Sequence, residues 1–310
     1  MTNPLKFVLV TPARNEAQFI ESTIRSVVAQ TARPLKWVIV SDGSTDGTDE
    51  IVQRYLANHP WIELVRVPER AGRDFAGKVH AFNAGYSRMG GVDYDVIGSL
   101  DADTSFEEDY FAFLLQRLSE DPALGVVGTP VQEPSRQIYD YRFVNIEHVS
   151  GACQLFRRRC FEAIGGYVPV KGGQIDHIAV ITSRMKGWKT RTFTDRVCLH
   201  NREMGTAEQS TLKARFHCGC KDYAIGNNPL WELFRIFYQI TKPPLLLGGL
   251  AIGSGYIWSL WQGKERPVSA EFVAFHQWEE RERLKKFFLR HRVSSARELR
   301  PYSAERVEAE

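Results

Sequence analysis

Residues 95–106 read DVIGSLDADTSF, a short strand pattern that ends in two aspartates separated by one alanine. Carboxylates crowded at the end of a buried strand repel each other and lose solvation, so they require a compensating cation. Alternation along an extended strand end would place Asp101 and Asp103 on one side and turn Ala102 away. Hard oxygen ligands of this kind favour Mg²⁺ or Mn²⁺. The stretch therefore predicts a buried strand with a divalent metal at its carboxyl end.

Short strand patterns alternate with helical patterns over about the first 135 residues. Runs rich in Val, Ile and Leu and bounded by turn residues are typical of strands that are buried on both faces. The strand patterns are KFVLVTP, KWVIVSDG, IELVRVPE, DYDVIGSLDAD and LGVVGTPV. This alternation predicts an α/β fold with a mixed, mainly parallel sheet flanked by helices. In such folds ligands bind at the carboxyl ends of the strands.

The composition is that of an ordinary folded protein, with 43% hydrophobic and 25% charged residues among 310. A formal net charge of +3 is too small to indicate nucleic acid as a partner, and no arginine-rich stretch in the first half indicates it either. Five cysteines without paired Cys-x-x-Cys spacing favour reduced thiols. The first residues read as a strand and not as a secretory signal, so we expect the protein to start in the cytosol.

The last third of the chain changes character. We predict a helical extension over residues 206–300, with an apolar segment at 245–261, and a disordered tail at 301–310. Seventeen residues that include four glycines are marginal for spanning a bilayer. Tryptophan and tyrosine side chains in this region suit a membrane interface, so we expect a membrane-associated segment that lies in the interface, re-enters it or spans it once. The alternative is a buried hairpin packed on the preceding domain.

Acidic residues follow three of the predicted strands, at Glu16, Asp42 and the Asp101–Asp103 pair. A single aspartate in such a position is more often a helix cap or turn residue than a ligand contact. Several at one sheet edge instead favour a nucleoside diphosphate sugar. A carboxylate there can accept the imide N–H of uracil or the ribose hydroxyls, and a metal can bridge the diphosphate.

Several motifs together resemble the family 2 glycosyltransferases. They are TPARNE, VIVSDGSTDGT, GKVHAFNAG, SLDAD, SGACQLFRRRCFEAIGGY and IDHIAV. They occur in the order and at the spacing of that family, over residues 5 to about 200. The resemblance implies a GT-A (Rossmann-like) fold in a domain over residues 1–205, a nucleotide-sugar donor, and inversion of configuration at the sugar.

The resemblance also implies roles for individual residues. The nucleoside pocket would be lined by Pro12, Arg14 and Glu16. Asp42 would meet the uracil, Lys78 would approach the base or diphosphate, Asp101 would reach the ribose, and Asp103 would bind the metal. For Lys78 the alternative is an ordinary lysine on a helix surface.

Inverting transfer needs a carboxylate that takes the proton of the acceptor hydroxyl. Related enzymes usually have an acidic pair before a helix, but GGQIDHIAV has Ile175 at the first position, so we predict Asp176 as the base. A plain helix N-cap is the alternative. His200 matches a position where related enzymes place a histidine on the metal, although a structural role is equally open. Arg202 and Arg73 are weaker diphosphate candidates.

These features predict a metal-dependent inverting hexosyltransferase of cell-envelope polysaccharide biosynthesis, at the cytoplasmic side of the membrane. We expect a UDP-sugar donor, Mg²⁺ or Mn²⁺ as cofactor, and a lipid-linked or glycan acceptor. The Gln-x-x-Arg-Trp motif of processive synthases does not occur in the sequence, which favours single-sugar addition. Two alternatives stay open: a polyprenyl-phosphate glycosyltransferase similar to the dolichyl-phosphate mannose synthases, and a catalytically silent GT-A scaffold.

Overall fold

The computed structural model describes residues 4–69, 75–133, 146–202, 211–241 and 245–298. The chain divides into two compact units, Met1–Gln209 and Ser210–Glu310. Three features of the sequence interpretation lie outside the described residues: Arg73, the predicted domain boundary at 205 and the tail at 301–310.

The first unit is built on a central sheet. Its strands, and those of a smaller sheet, are β1 Phe7–Ala13, β2 Lys36–Asp42, β3 Ile62–Val67, β4 Val96–Leu100, β5 Thr104–Ser105, β6 Leu124–Gly128, β7 Val131–Gln132, β8 Cys153–Arg157, β9 Lys189–Thr192 and β10 Cys198–His200. Within the described residues the central sheet has the order β3-β2-β1-β4-β8-β6-β9. Only β8 runs antiparallel to its described neighbours, β4 and β6. The predicted mixed, mainly parallel sheet is confirmed.

Helices flank this sheet. They are α1 Ile20–Val28, α2 Thr48–Leu56, α3 Phe75–Tyr86, α4 Tyr110–Glu120, α5 Arg158–Ala163 and α6 Ile175–Met185. Consecutive residues of the central strands, such as Leu9 and Val10 in β1 or Ile39 and Val40 in β2, have no exposed surface. Neighbours on a strand point to opposite faces, so both faces of the sheet are covered. This explains the uninterrupted apolar runs in the sequence.

A small second sheet has the order β5-β10-β7. The segment KTRTFTDRVCLH, which the sequence predicts as one strand and a turn, forms two strands in two different sheets. β9 joins β6 in the central sheet, whereas β10 pairs with β5 so that His200 lies opposite Thr104. This pairing brings residue 200 beside the Asp101–Asp103 segment.

The second unit is helical, with α7 Thr211–Ala224, α8 Pro229–Ile240, α9 Leu247–Trp261 and α10 Ala270–Glu298. The helices α7 and α9 approach each other backbone to backbone. A Cβ atom on Gly219 would lie 1.9 Å from the Ile252 carbonyl oxygen, and one on Gly255 would lie 2.0 Å from that of Phe216. Glycine is therefore required at this crossing.

The apolar segment predicted at 245–261 forms α9, preceded by a short turn. Its glycine-rich face is buried, but its other face exposes large apolar side chains. They include Leu250, Ile257, Trp258, Leu260 and Trp261, the last 77% exposed. The alternative of a fully buried hairpin is wrong for this outer face. Among the described residues, none of the helices combines the length and apolar character that crossing a membrane requires.

Candidate functional site

The carboxyl ends of β1, β2 and β4 lie at one edge of the central sheet because these strands are parallel neighbours. Glu16 follows β1, Asp42 is the last residue of β2, and Asp101 directly follows β4. Glu16 and Asp42 are buried. Pro12 and Arg14 are half-buried at the end of β1. The sheet therefore places the predicted nucleoside-pocket residues at the same edge as the Asp101–Asp103 segment.

The loops after β1 and β2 are joined by hydrogen bonds. The Glu16 backbone N–H donates to Thr48 Oγ1 at 2.8 Å, and the Ala17 N–H donates to Asp46 Oδ2 at 2.9 Å. Asp46 Oδ1 also accepts from the backbone N–H of Thr48 at 3.1 Å. The polar residues of the DGSTDGT motif thus hold the loop that carries Glu16.

Lys78 points from α3 to the end of β4, where its Nζ lies 2.5 Å from Asp101 Oδ1. Burial disfavours the charged amine, but the carboxylates of Asp101, Asp176 and Asp103 outweigh this effect and raise the pKa of Lys78. Burial also raises the pKa of Asp101. Lys78 opposes this effect, and the negative charge of Asp103 adds to it. Lys78 is therefore a cation of the site and not a surface lysine.

Asp101, Asp103 and His200 each offer a ligand atom, and these atoms lie within 4.8 Å of one another. His200 Nε2 is 3.3 Å from Asp103 Oδ1, and His200 Nδ1 is 2.5 Å from the Arg202 carbonyl oxygen. A neutral imidazole that donates its Nδ1–H to this carbonyl presents the Nε2 lone pair to the carboxylates. Two carboxylates and one imidazole nitrogen suit a divalent ion such as Mg²⁺ or Mn²⁺. The residues present therefore fit the predicted metal.

The side chain of Arg202 connects two parts of the site. Its guanidinium forms an ion pair with Glu16, and its Nε lies 3.6 Å from Asp103 Oδ2. It also stacks over the ring of Phe19 at 5.0 Å from the centroid. Arg202 thus lies between Glu16, a predicted nucleoside-pocket residue, and Asp103, a candidate metal ligand.

Asp176 lies in the first turn of α6 and lines a small cavity with Lys78. Its Oδ2 accepts a hydrogen bond from the Gly151 backbone N–H at 3.1 Å. The helix N-cap is Gln174, so the alternative interpretation of Asp176 as the N-cap is wrong. The carboxylate is therefore oriented by Gly151, two residues before β8 begins.

Comparison with known proteins identifies the family. Residues 8–165 match the family model described as glycosyl transferase family 2. The chain belongs to this family. The matched segment contains the strand ends that carry Glu16, Asp42 and Asp101, and the α3 helix that carries Lys78.

Curated relatives of this chain include poly-β-1,6-N-acetyl-D-glucosamine synthases of Staphylococcus. The Staphylococcus aureus (strain N315) protein is 32% identical over 117 residues, which are 37% of this chain and 26% of the relative. The Staphylococcus epidermidis protein is 30% identical over the same length. The alignment thus spans about a quarter of these relatives.

Solved structures extend the similarity to most of the chain. A mannosyltransferase from Pyrobaculum calidifontis, PcManGT in complex with GDP-Man and Mn²⁺, aligns with a TM-score of 0.61 and 20% identity over 85% of this chain and 89% of that one. TarS residues 1–349 from S. aureus, in complex with UDP-GlcNAc, align with a TM-score of 0.55 and 14% identity over 83% and 73%. The fold is therefore like the GT-A fold.

Ile175 stands at the position where the resemblance in the sequence implies the first acid of a pair. The Ile175 side chain is buried and lines the same cavity as Asp176. An apolar side chain at this position neither accepts protons nor donates hydrogen bonds. Among the described residues of this cavity, Asp176 is the carboxylate.

Sequence reasoning missed several residues of the cavity. Ser99, Gln154 and Tyr167 line it, and the Tyr167 hydroxyl donates to Gln154 Oε1 at 2.7 Å. Burial raises the pKa of Tyr167 well above its usual value, so its hydroxyl stays protonated. Gly151 was also missed. The signal was present, because Gly151, Gln154 and Tyr167 all belong to the SGACQLFRRRCFEAIGGY motif.

Proposed function

We propose that this protein is a metal-dependent inverting glycosyltransferase that moves a sugar from a UDP-sugar to a lipid-linked or glycan acceptor. The observation that carries the proposal is the convergence of Asp101, Asp103 and His200 within 4.8 Å at the carboxyl edge of the sheet. Family membership supports the reaction class, and the alternative of a silent scaffold gives no reason for a complete set of metal donors beside Lys78.

Each described residue then has a chemical task. Asp103 and His200, with Asp101, would hold the metal, which supplies charge neutralisation for the departing diphosphate. Asp101 would also reach the ribose. Glu16 and Asp42 present carboxylates to the nucleoside, with Asp42 at the uracil, while Pro12 and Arg14 line the pocket. Lys78 would add a positive charge near the phosphates, because the neighbouring carboxylates raise its pKa and so favour the charged amine.

Asp176 would act as the general base. It takes the proton from the acceptor hydroxyl as that oxygen attacks the anomeric carbon from the side opposite the diphosphate. The Gly151 N–H fixes the orientation of the carboxylate, which is the condition for efficient proton transfer. The absence of a carboxylate at Ile175 leaves this task to Asp176.

Similarity to other proteins supports two donor candidates. TarS binds UDP-GlcNAc, and the curated relatives are named as synthases of an N-acetylglucosamine polymer, which supports a UDP-sugar. PcManGT binds GDP-Man and aligns over most of both chains, which supports GDP-mannose as the second candidate. A polyprenyl phosphate would then be an acceptor to test beside a glycan.

The exposed apolar face of α9 supports an acceptor at the cytoplasmic face of a membrane. Leu245 and Leu246 in the turn before α9, Leu247 at its start and the tryptophans at its other end expose large apolar side chains. Contiguous exposed apolar surface of this kind marks interaction sites, and tryptophan suits the membrane interface. A peripheral or re-entrant attachment would hold the site close to a lipid-linked acceptor.

The test is nucleotide release from a panel of UDP-, GDP- and dTDP-sugars, with Mn²⁺ or with chelator, in the presence of membrane lipid extract. We expect release from one donor, lost with chelator and lost in Asp103→Asn. Asp109→Asn is the matched control, because Asp109 pairs with Arg196 outside the site. Turnover that survives both chelator and Asp103→Asn would contradict the metal role. Absence of both release and nucleotide binding would favour the scaffold.

A further inference from the structure

Among the described residues, Lys78 and Arg202 form ion pairs with carboxylates at the edge of the sheet. Lys78 lies 2.5 Å from Asp101, and Arg202 contacts both Glu16 and Asp103. Glu16 and Asp103 are buried, and a buried carboxylate without a cation is costly. Arg202 thus places a positive charge beside Asp103, as a divalent ion would.

We propose that Arg202 is an internal counter-cation that neutralises Asp103 until the metal binds and then turns its released N–H groups to the donor diphosphate. The inference rests on the proposed function, which it deepens. In this role Arg202 couples metal binding to donor binding, in addition to contacting a phosphate.

The contacts of Arg202 differ in a way that permits this exchange. The ion pair with Glu16 and the stacking on Phe19 at 5.0 Å hold the guanidinium in place. The contact with Asp103 is looser, with Nε and Oδ2 3.6 Å apart. Of these contacts, the weaker one to Asp103 would be lost first if a metal occupied that carboxylate, because the two positive charges would repel each other. The other contacts keep the side chain at the site.

The backbone of the same residue also participates. The Arg202 carbonyl oxygen accepts from His200 Nδ1 at 2.5 Å, and the Asn201 N–H donates to the Asp103 carbonyl oxygen at 2.8 Å. Residues 200–202 are thus fixed to the metal-ligand segment. The guanidinium can change partner while its backbone stays in place. A planar fork of N–H donors suits a diphosphate as well as a carboxylate.

The proposal predicts effects of opposite sign on the two ligands. Without Arg202, Mn²⁺ loses a competitor at Asp103, so Arg202→Gln should bind Mn²⁺ alone about fivefold more tightly. The same variant should bind UDP, at saturating Mn²⁺, about tenfold more weakly because a charged hydrogen-bond donor is lost. Isothermal titration calorimetry with Mn²⁺ alone, and then with UDP, measures both without any need for turnover.

Arg196→Gln is the matched control. Arg196 also pairs with a carboxylate, that of Asp109, and lies over a phenylalanine ring, that of Phe113, at 5.4 Å. Arg196→Gln removes the same charge from similar surroundings outside the site. Its affinities for Mn²⁺ and for UDP should therefore match those of the wild type. Arg202→Lys keeps the charge without the planar fork. Its Mn²⁺ affinity should lie between that of the wild type and that of Arg202→Gln. It tests the proposal if the glutamine variant does not fold.

The outcomes separate this inference from the proposed function. Equal Mn²⁺ affinity in wild type and Arg202→Gln, or weaker binding in the variant, overturns the counter-cation while the metal site stands. An unchanged UDP affinity overturns the transfer of Arg202 to the diphosphate. No Mn²⁺ binding by any variant overturns the metal site and this inference together.

Discussion

Gly151 lies so close to Asp176 that no side chain fits between them. A Cβ atom on Gly151 would lie 2.8 Å from Asp176 Oδ2 and 2.9 Å from Cγ and Cβ. The same residue donates its N–H to that carboxylate. One glycine therefore provides both the space and the hydrogen bond that orient the proposed base.

Gly151→Ala should reduce kcat between about tenfold and a hundredfold, because the added methyl group displaces the base. Asp176→Asn, which removes the base, should cost about a thousandfold. Both variants should leave donor binding within about twofold of wild type, since the donor contacts proposed above involve other residues. Steady-state kinetics and calorimetry with UDP separate the two quantities.

Gly172→Ala is the control for the glycine change, because a Cβ atom there meets no other atom within 4 Å. It should retain wild-type turnover. If Gly151→Ala also retained it, Asp176 would not need this orientation and the base would have to be sought elsewhere.

The residues at the sheet edge were predictable from sequence to different degrees. Asp101 and Asp103 follow one strand pattern at a spacing that itself suggests a metal, and the structure brings both together with His200. Gly151 was not predictable as a contact of Asp176, because 25 residues separate the two along the chain. A close approach of this kind is a property of tertiary packing, which a single sequence pattern does not encode.

At the scale of elements, α9 has one face that packs against another helix and one apolar face that is exposed. Its glycine-rich side packs directly on the backbone of α7, and its other side exposes leucine, isoleucine and tryptophan. Small residues that permit close backbone approach are typical of helix pairs in membranes. The apolar composition of the segment was evident in the sequence, but which face is buried depends on the partner helix.

Gly255→Ala should lower the free energy of unfolding of the helical unit by roughly 3 kcal/mol, because its methyl group would lie 2.0 Å from the Phe216 carbonyl oxygen. Urea denaturation followed by circular dichroism measures the loss. The adjacent, exposed Ser254 provides the control, and Ser254→Ala should change stability little. Equal stability of the two variants would mean that α7 and α9 are not in backbone contact.

The strands show which features of a sheet an apolar sequence pattern can predict and which it cannot. Apolar runs located β1, β2 and β4 correctly because burial on both faces leaves a clear pattern. The antiparallel insertion of β8 between β4 and β6, and the division of residues 189–200 between two sheets, were not predicted. An apolar pattern reports burial, and the neighbour and direction of a strand depend on long-range pairing.

At the scale of the molecule, the helical unit contains buried acids that are not part of the candidate site. Burial raises the pKa of Glu280 to about 8, despite a hydrogen bond from the Asn228 N–H at 2.6 Å. Burial and the neighbouring Asp222 raise the pKa of Glu232 to about 7, although Arg235 opposes this. Glutamate in an unfolded chain titrates near pH 4.3, about three units lower.

The folded unit thus holds these protons more tightly than the unfolded chain does. Its stability should be greatest below about pH 4 to 5 as far as these groups are concerned, and should fall as the pH rises to about 8. Urea unfolding should give a free energy roughly 4 kcal/mol lower at pH 9 than at pH 6. Glu280→Gln, which can still accept from Asn228, should flatten this dependence. The exposed Glu265→Gln should not, and an equal slope in all three proteins would exclude Glu280 as a cause.

The exposed face of α9 gives a second prediction for the whole protein. Trp258→Ser combined with Trp261→Ser should weaken binding to vesicles of phosphatidylcholine and phosphatidylglycerol by about tenfold or more, because both exposed rings are lost. Flotation of the protein with the vesicles measures this. Leu35→Ser, at an exposed leucine of the first unit, is the control. Flotation that does not change in the double variant would remove the membrane role of α9.

The pairing of β10 with β5 has a consequence for biosynthesis. Asp103 and His200 are about a hundred residues apart in the chain, and a strand of three residues and one of two bring them together. A nascent chain on the ribosome therefore contains the two aspartates long before it contains the histidine. The three candidate metal donors can come together only after residue 200 has been made, so we expect a metal ion to bind all three only after that point in synthesis.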